Sequence, residues 1–537
     1  MQKDYFARLL LSISLVLCTL GYATSTEYLV RINASISQNF KVCELVDDNA
    51  LIIVDKDKLA EIIQEGIEHL ILDVNPRGKL YFFVFPVAED FVNVGRFGTI
   101  LDQYDECLLL RTTEEMIPEL NKLQVELSRL TLKPIVKREV PLYDFNRMSV
   151  SRDSLIEQML EDVDPDSIFN SVLRLQHFYT RYSTSDSNKI AAVNWISDRL
   201  IEYGCDSVYT QTFSPVYGDN VIGIEMGKRY PSTQHYVLIG AHLDDVPSFG
   251  YAPGADDNAS GVAAMIEALR VMSNYSFAHT IRFAAFNAEE QGLIGSDSLA
   301  SFAYSQSDTI IAALCYDMIG YVTAPLLDTM RLRYTSAVPG CSVFACVFYQ
   351  AVADTYTQLK IRHVRYTGTT GSSDHASFWK HGYVSTGGIE RVLCPGYHTI
   401  GDTIGPTGFN NLDFATQVTQ TAIGVLATLA VPIDTAPGIS ELSFSEILPV
   451  FMIQPNPGRD ITVYFEVEKG EEPIDLTVYD CLGRSVVKLA TGQYRKGNYV
   501  IRWDGQNPHG RVVAPGVYFV ALNMENTQRH RKVILVE

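Results

Sequence analysis

The chain has 537 residues, 47% of them hydrophobic and 20% charged, the balance of an ordinary globular protein. That length exceeds what one hydrophobic core supports, so about three domains are expected. Lys plus Arg number 43 against 63 Asp plus Glu, and the formal charge of −20 repels phosphate backbones and anionic membrane surfaces, which sets nucleic acid aside as a partner.

The first segment reads as an address. Lys3 and Arg8 precede the apolar run Leu9 to Leu20, which is too short to span a bilayer and is followed by the small residues Ala23, Thr24 and Ser25. A cleaved secretory signal over residues 1–25 is the favoured reading, with Cys18 discarded inside it, and no later segment reads as a membrane span. Eight cysteines remain, from Cys43 to Cys481, and none has a C-x-x-C metal spacing. An exported protein permits disulfides, and buried free thiols explain these residues equally well.

Residues 26–140 read as strand, helix, strand, helix. The run Leu51-Ile52-Ile53-Val54 is followed by a helical period through Leu59, Ile62, Ile63 and Ile67, and Leu108-Leu109-Leu110 by another through Met116, Leu120, Leu123 and Leu127. This suggests two copies of one β/α unit forming a small, prodomain-like α/β region without clustered catalytic residues. A polar stretch with Pro134, Pro141 and Pro165 follows, and its dibasic pair Lys137-Arg138 reads first as a solvated loop and second as a processing site.

Residues 150–435 alternate helices with apolar strands, so an α/β domain with a mostly parallel sheet flanked by helices is expected. The strands Tyr236 to Gly240, Thr280 to Phe286 and Ala312 to Tyr316 each run straight into polar residues. Ligands in open α/β sheets bind beyond such carboxyl ends. The first strand leads to His242, with Asp244 two residues on as a carboxylate able to fix the far imidazole nitrogen. A cluster containing Asp256, Asp257, Asn258 and Ser260 opens the next helix, which capping explains only in part. The second strand ends in Glu289-Glu290, the third in Asp317, and a later loop supplies His398. Residues 443–537 change to short alternating runs separated by Gly, Asn and Pro, the pattern of a β-sandwich.

Together the stretches GAHLDD (240–245), PGADDNASG (253–261), NAEEQGLIGS (287–296), YDM (316–318), SDHASFW (373–379) and HTIGDT (398–403) resemble the co-catalytic zinc aminopeptidases of the bacterial leucyl-aminopeptidase type, in that family's order. The same family includes glutaminyl cyclases and glutamate carboxypeptidases. The resemblance implies two Zn2+ ions: His242 and Asp317 on one, Glu290 and His398 on the other, Asp256 bridging, Glu289 as general base and Asp244 behind His242. Zinc accepts imidazole nitrogen and carboxylate oxygen, two such ions can share a hydroxide, and one unligated carboxylate must carry the proton to the leaving amine. His375 is read as orienting the site rather than binding metal. Some relatives of this type place a Tyr three residues before SDH to polarise the scissile carbonyl; this chain has Thr370 there, with Tyr366 as the neighbouring candidate.

The implied function is a secreted exopeptidase that removes N-terminal residues from peptides. A carboxypeptidase or glutaminyl cyclase on the same fold, and a non-catalytic binding domain, are the alternatives. The last part of the chain, with Trp503-Asp504-Gly505 and Ala514-Pro515-Gly516-Val517-Tyr518, resembles the immunoglobulin-like domains related to flagellar hook-assembly proteins and the sorting domains of the type IX secretion route. That resemblance implies a bacterial protein, secreted or at the cell surface, whose C-terminal domain engages secretion machinery or serves attachment; an ordinary accessory β-sandwich is equally compatible with the pattern.

Overall fold

The computed structural model describes residues 26–86, 93–123, 125–135, 143–145, 148, 150–246, 250–324, 329–433, 451–454, 461–525 and 527–535. The leader-like run and the Lys137-Arg138 pair lie outside the described residues.

The N-terminal region contains two small antiparallel sheets of matching topology. The strands β1 (Glu27–Asn33), β2 (Val42–Val46), β3 (Asn49–Asp55) and β4 (His69–Val74) lie in the order β2-β3-β1-β4. The next four, β5 (Leu80–Pro86), β6 (Thr99–Gln103), β7 (Leu108–Thr112) and β8 (Val125–Arg129), lie in the order β6-β7-β5-β8. In each unit one helix, Lys56–Gln64 or Ile117–Asn121, precedes the last strand. The unit is therefore three strands, a helix and a strand, not alternating strand and helix. Leu120, Leu123 and Leu127 fit a helical period, yet Val125 and Leu127 also alternate. Pairing of Val84 with Leu127 across β5 and β8 decides for the strand.

The central domain is built on an eight-stranded mixed sheet, with β9 (Ser207–Gln211), β10 (Asn220–Glu225), β11 (His235–His242), β12 (Thr280–Phe286), β13 (Thr309–Asp317), β14 (Thr329–Thr335), β15 (Lys360–Tyr366) and β16 (Ser385–Glu390) in the order β15-β14-β16-β13-β11-β12-β10-β9. The parallel pairing is concentrated in β16, β13, β11 and β12, while β10 and β14 join antiparallel on either side. Alternation along β11 sends Val237, Ile239 and Ala241 into one layer and Tyr236 and Leu238 into the other, and all five are fully buried. The helices Ala259–Met272 and Leu412–Ala430 contribute to the first layer, and Ile294–Gln306 and His375–Lys380 to the second. Full burial of each Leu, Ile or Phe in these layers contributes about 1.5–3 kcal/mol. With both faces covered by helices, the open edge for chemistry is the carboxyl end of the four parallel strands.

Among the described residues of the C-terminal region every element is a strand: β17 (Phe451–Gln454), β18 (Ile461–Asp480), β19 (Ser485–Trp503), β20 (Gly516–Met524) and β21 (Thr527–Leu535). β17 pairs with the first part of β18 and β20 with its last part, while β19 pairs along most of its length. Val463, Leu476, Val478, Trp503, Val520 and Leu522 form its own core. All eight described cysteines are free thiols, and among the described residues no helix is long and apolar enough to cross a membrane.

Candidate metal centre

Three neighbouring parallel strands end in the residues of interest. β11 closes on His242 and β13 on Asp317, while β12 passes through Asn287 and Ala288 into Glu289 and Glu290. Three non-glycine residues in these loops, Ala288 (φ 58°), Met318 (φ 51°) and His398 (φ 56°), hold left-handed backbone, the kind of local strain that gathers where side-chain direction is over-determined. Asn287 is tied on both sides: its N–H donates to Asn220 Oδ1 (2.8 Å) and its Nδ2 to Asn188 Oδ1 (2.7 Å).

The two imidazoles face one carboxylate between them. His242 Nε2 lies 3.3 Å from Asp257 Oδ1 and 3.2 Å from Asp317 Oδ1. His398 Nε2 lies 3.3 Å from Asp257 Oδ2 and 3.0 Å from Glu290 Oε2. Glu289 joins His242 and Asp317 in one compact donor group, and Asp257 and Glu290 join His242 in another. All of these residues are buried.

The position between the histidines therefore belongs to Asp257, and the expectation for Asp256 is corrected. Asp256 turns the other way: its Oδ1 accepts from the Gly320 N–H (2.8 Å), and its side chain groups with Glu390 and Cys394. Burial and then the Asp256 charge push the Glu390 carboxyl well above the usual carboxylate range. Adjacent residues in a helix-leading loop point in different directions, and the run Asp256-Asp257 is silent about which one faces His242. Asp402 holds both backbones in place, since its Oδ1 accepts from Asp256 N–H and its Oδ2 from Asp257 N–H, each at 2.9 Å. It lies in the His398 stretch, and only its position in the fold shows that it serves the aspartates.

Asp244 acts differently from the sequence expectation. His242 Nδ1 meets the backbone carbonyl of Asp244 at 3.2 Å, whereas the nearest carboxylate oxygen is 3.7 Å away. The carboxylate instead accepts from the N–H groups of Glu289 (3.2 Å) and Glu290 (3.3 Å), joining the His242 loop to the acidic one. Asn258 makes a similar link, with Nδ2 donating to Tyr316 O and Oδ1 accepting from Met318 N–H. His375 is fully buried, packs edge-on to Trp379 at 4.5 Å, and is absent from the donor groups. Thr370 donates through Oγ1 to Leu45 O, Tyr366 packs against Trp379, and Tyr397 stacks on His398 at 3.8 Å. Asp374, beside His375, is a further acid the sequence reading left without a role; burial pushes it up to about 7, and the His242 charge opposes that.

The electrostatics call for cations. Burial pushes Glu290 up to about 8 and Asp244 to about 6, and drives Glu289 well above the carboxylate range. Burial acts the same way on Asp257, but hydrogen bonds from His242 and His398 overcome it and hold its carboxyl well below the usual range. Asp257, Asp317, Glu289, Glu290, Asp244 and Asp374 outnumber the imidazoles, and buried charge of one sign is stable only when paired or coordinated. The donors also have the right spacing, because two ligands at about 2.0–2.1 Å from a tetrahedral zinc lie roughly 3.3 Å apart. Glu290 Oε1 is buried without a hydrogen-bond partner, as expected of an atom reserved for a metal. The residues present therefore fit zinc, with Asp257 between the two imidazoles.

Comparison with known proteins places the chain in a family. Residues 220–420 match the model of peptidase family M28, and residues 454–528 match the FlgD Ig-like domain. Leucine aminopeptidase 1 of Colletotrichum graminicola is 30% identical over 280 residues, covering 48% of this chain and 67% of that protein. Leucine aminopeptidase 1 of Coccidioides posadasii is 28% identical over 290 residues, covering 49% of this chain and 71% of that protein. The crystal structure of the LapA aminopeptidase of Legionella pneumophila shares the fold, with a TM-score of 0.53 at 21% identity over 66% of this chain and 98% of that one. The chain therefore belongs to peptidase family M28, as a hydrolase of that family followed by a FlgD-type immunoglobulin-like domain.

Proposed function

We propose that this protein is a secreted bacterial aminopeptidase that uses two zinc ions to hydrolyse the first peptide bond of its substrates. The observation that carries the reading is the Asp257 carboxylate, 3.3 Å from an imidazole on each side, with Asp317 and Glu290 completing the two halves. His242 and Asp317 would hold one ion, His398 and Glu290 the other, and Asp257 both. When bound, the ions supply Lewis-acid activation of a water and of the scissile carbonyl.

The residues of the chain do the rest. Glu289 stands beside His242 and Asp317 without a place in the Asp257 group, so it is the carboxylate left to take a proton from the water and return it to the leaving amine. Asp244 fixes its position through the Glu289 N–H. The leucine aminopeptidase relatives support an N-terminal residue as the part of the substrate that enters the site. The FlgD-type domain supplies none of the grouped donors among the described residues and serves export or attachment.

The test is a zinc-replete assay on three versions of one peptide, with a free N-terminus, an acetylated N-terminus and an amidated C-terminus. The proposal expects cleavage of the first and third and loss of the second. Cleavage that ignores acetylation but needs a free carboxyl end makes the protein a carboxypeptidase instead.

A further inference from the structure

We propose that Asn121, carried by the N-terminal region, is a positioning residue of the metal centre, so that this region is a working part of the active enzyme rather than a discarded leader. The inference rests on the two-metal reading above. Asn121 ends the helix Ile117–Asn121 and is 1% exposed. Its backbone carbonyl accepts from His398 Nδ1 at 2.9 Å, and its carboxamide Nδ2 donates to the backbone carbonyl of Glu290 at 2.8 Å. His398 and Glu290 are the pair whose other atoms, Nε2 and Oε2, meet at 3.0 Å. One residue thus braces both ligands of one ion from behind.

The comparison with His242 gives the contact its meaning. A ligating imidazole needs an acceptor on its far nitrogen to fix the ring and leave the near nitrogen bare for metal. For His242 the carbonyl of Asp244, in the same loop, lies there at 3.2 Å. For His398 the acceptor comes from 277 residues earlier in the chain.

The N-terminal region is also anchored on the loops around the site by buried polar contacts. Glu44 accepts from Thr369 Oγ1 at 2.8 Å and pairs with Lys380 at 3.3 Å, both ends being buried. Lys380 reaches Ser128 Oγ at 3.2 Å, and the Arg129 N–H donates to Gly292 O at 3.3 Å. Gly292 has φ 104°, and a Cβ there would meet Phe82 at 2.9 Å and Arg129 N at 3.1 Å, so the loop after Glu290 admits the N-terminal region only because this residue is glycine. Breaking a buried polar interface leaves its charges unpaired, which opposes release of the region.

The experiment measures zinc affinity on the full chain, by competition with a chromophoric chelator, for wild type, Asn121→Ala and Asn121→Asp. Both substitutions remove the donor to Glu290, and the aspartate also sets a negative charge beside that carbonyl. The expected result is that one of the two ions binds roughly 10- to 100-fold more weakly while the other is unchanged. A second measurement needs no variant: intact mass and N-terminal sequencing of the active, two-zinc enzyme should find residues 26–135 still attached or held as a nicked fragment. Wild-type zinc affinity at both sites in both variants, or an active two-zinc enzyme lacking that segment, overturns the role of Asn121 while leaving the metal reading intact. A wild-type chain that binds no zinc overturns both.

Discussion

Asp256 and Asp257 are neighbours of identical chemistry, so replacing each by asparagine isolates geometry. In Asp257→Asn both imidazole neighbours, at 3.3 Å, lose a carboxylate charge and gain a neutral amide. Two unit charges about 4 Å apart interact by about 4 kcal/mol at an effective dielectric near 20. The amide oxygen still offers one donor, so about 4 kcal/mol serves as the scale for each ion, equal to about a thousandfold in affinity. Asp256→Asn keeps a carbonyl oxygen for the Gly320 N–H and changes the contacts with Glu390 and Cys394, away from the histidines, which predicts full zinc content and a stability loss of about 1–3 kcal/mol. The assay is elemental analysis after gel filtration, with chelator competition for affinity and thermal melting for stability. Two ions held normally by Asp257→Asn and lost by Asp256→Asn would refute the assignment of the shared position.

Glu289→Gln should keep both zinc ions and lose roughly 10²- to 10⁴-fold in kcat, the usual range for a general acid/base, whereas Glu290→Gln should lose one ion and recover in part with added zinc. Metal content measured beside kcat separates the two, and the opposite pattern would exchange base and ligand. Dialysis against a zinc chelator should abolish peptide hydrolysis and zinc should restore it, with a mock-dialysed sample as reference. Truncation after residue 433 should leave turnover of a small aminoacyl substrate within about twofold, because the C-terminal core is built from its own strands; a large fall in a folded truncated protein would tie that domain to catalysis.

Much of the site is legible in the sequence because the chemistry follows the strands at once. His242, Asp317 and Glu289-Glu290 stand at or just beyond the ends of β11, β13 and β12, and apolar runs that break into such residues mark the carboxyl edge of a parallel sheet. The family resemblance adds the order of the motifs and, through it, the pairing of His398 with Glu290. What the sequence leaves open is direction and distance. Which of Asp256 and Asp257 turns toward the histidines depends on contacts with Gly320, Asp402 and Glu390, all far along the chain. Leu127 satisfies a helical and a strand period alike, and only its partner Val84 decides. Asp244 sends its carboxylate to two backbone N–H groups 45 and 46 residues away, a choice invisible beside His242. Asn121 carries no catalytic chemistry in its side chain and sits in a region without clustered catalytic residues. It reaches His398 and Glu290 because the N-terminal region docks through Glu44, Ser128 and Arg129, and hydrogen-bond partners brought together by docking leave no periodicity to read.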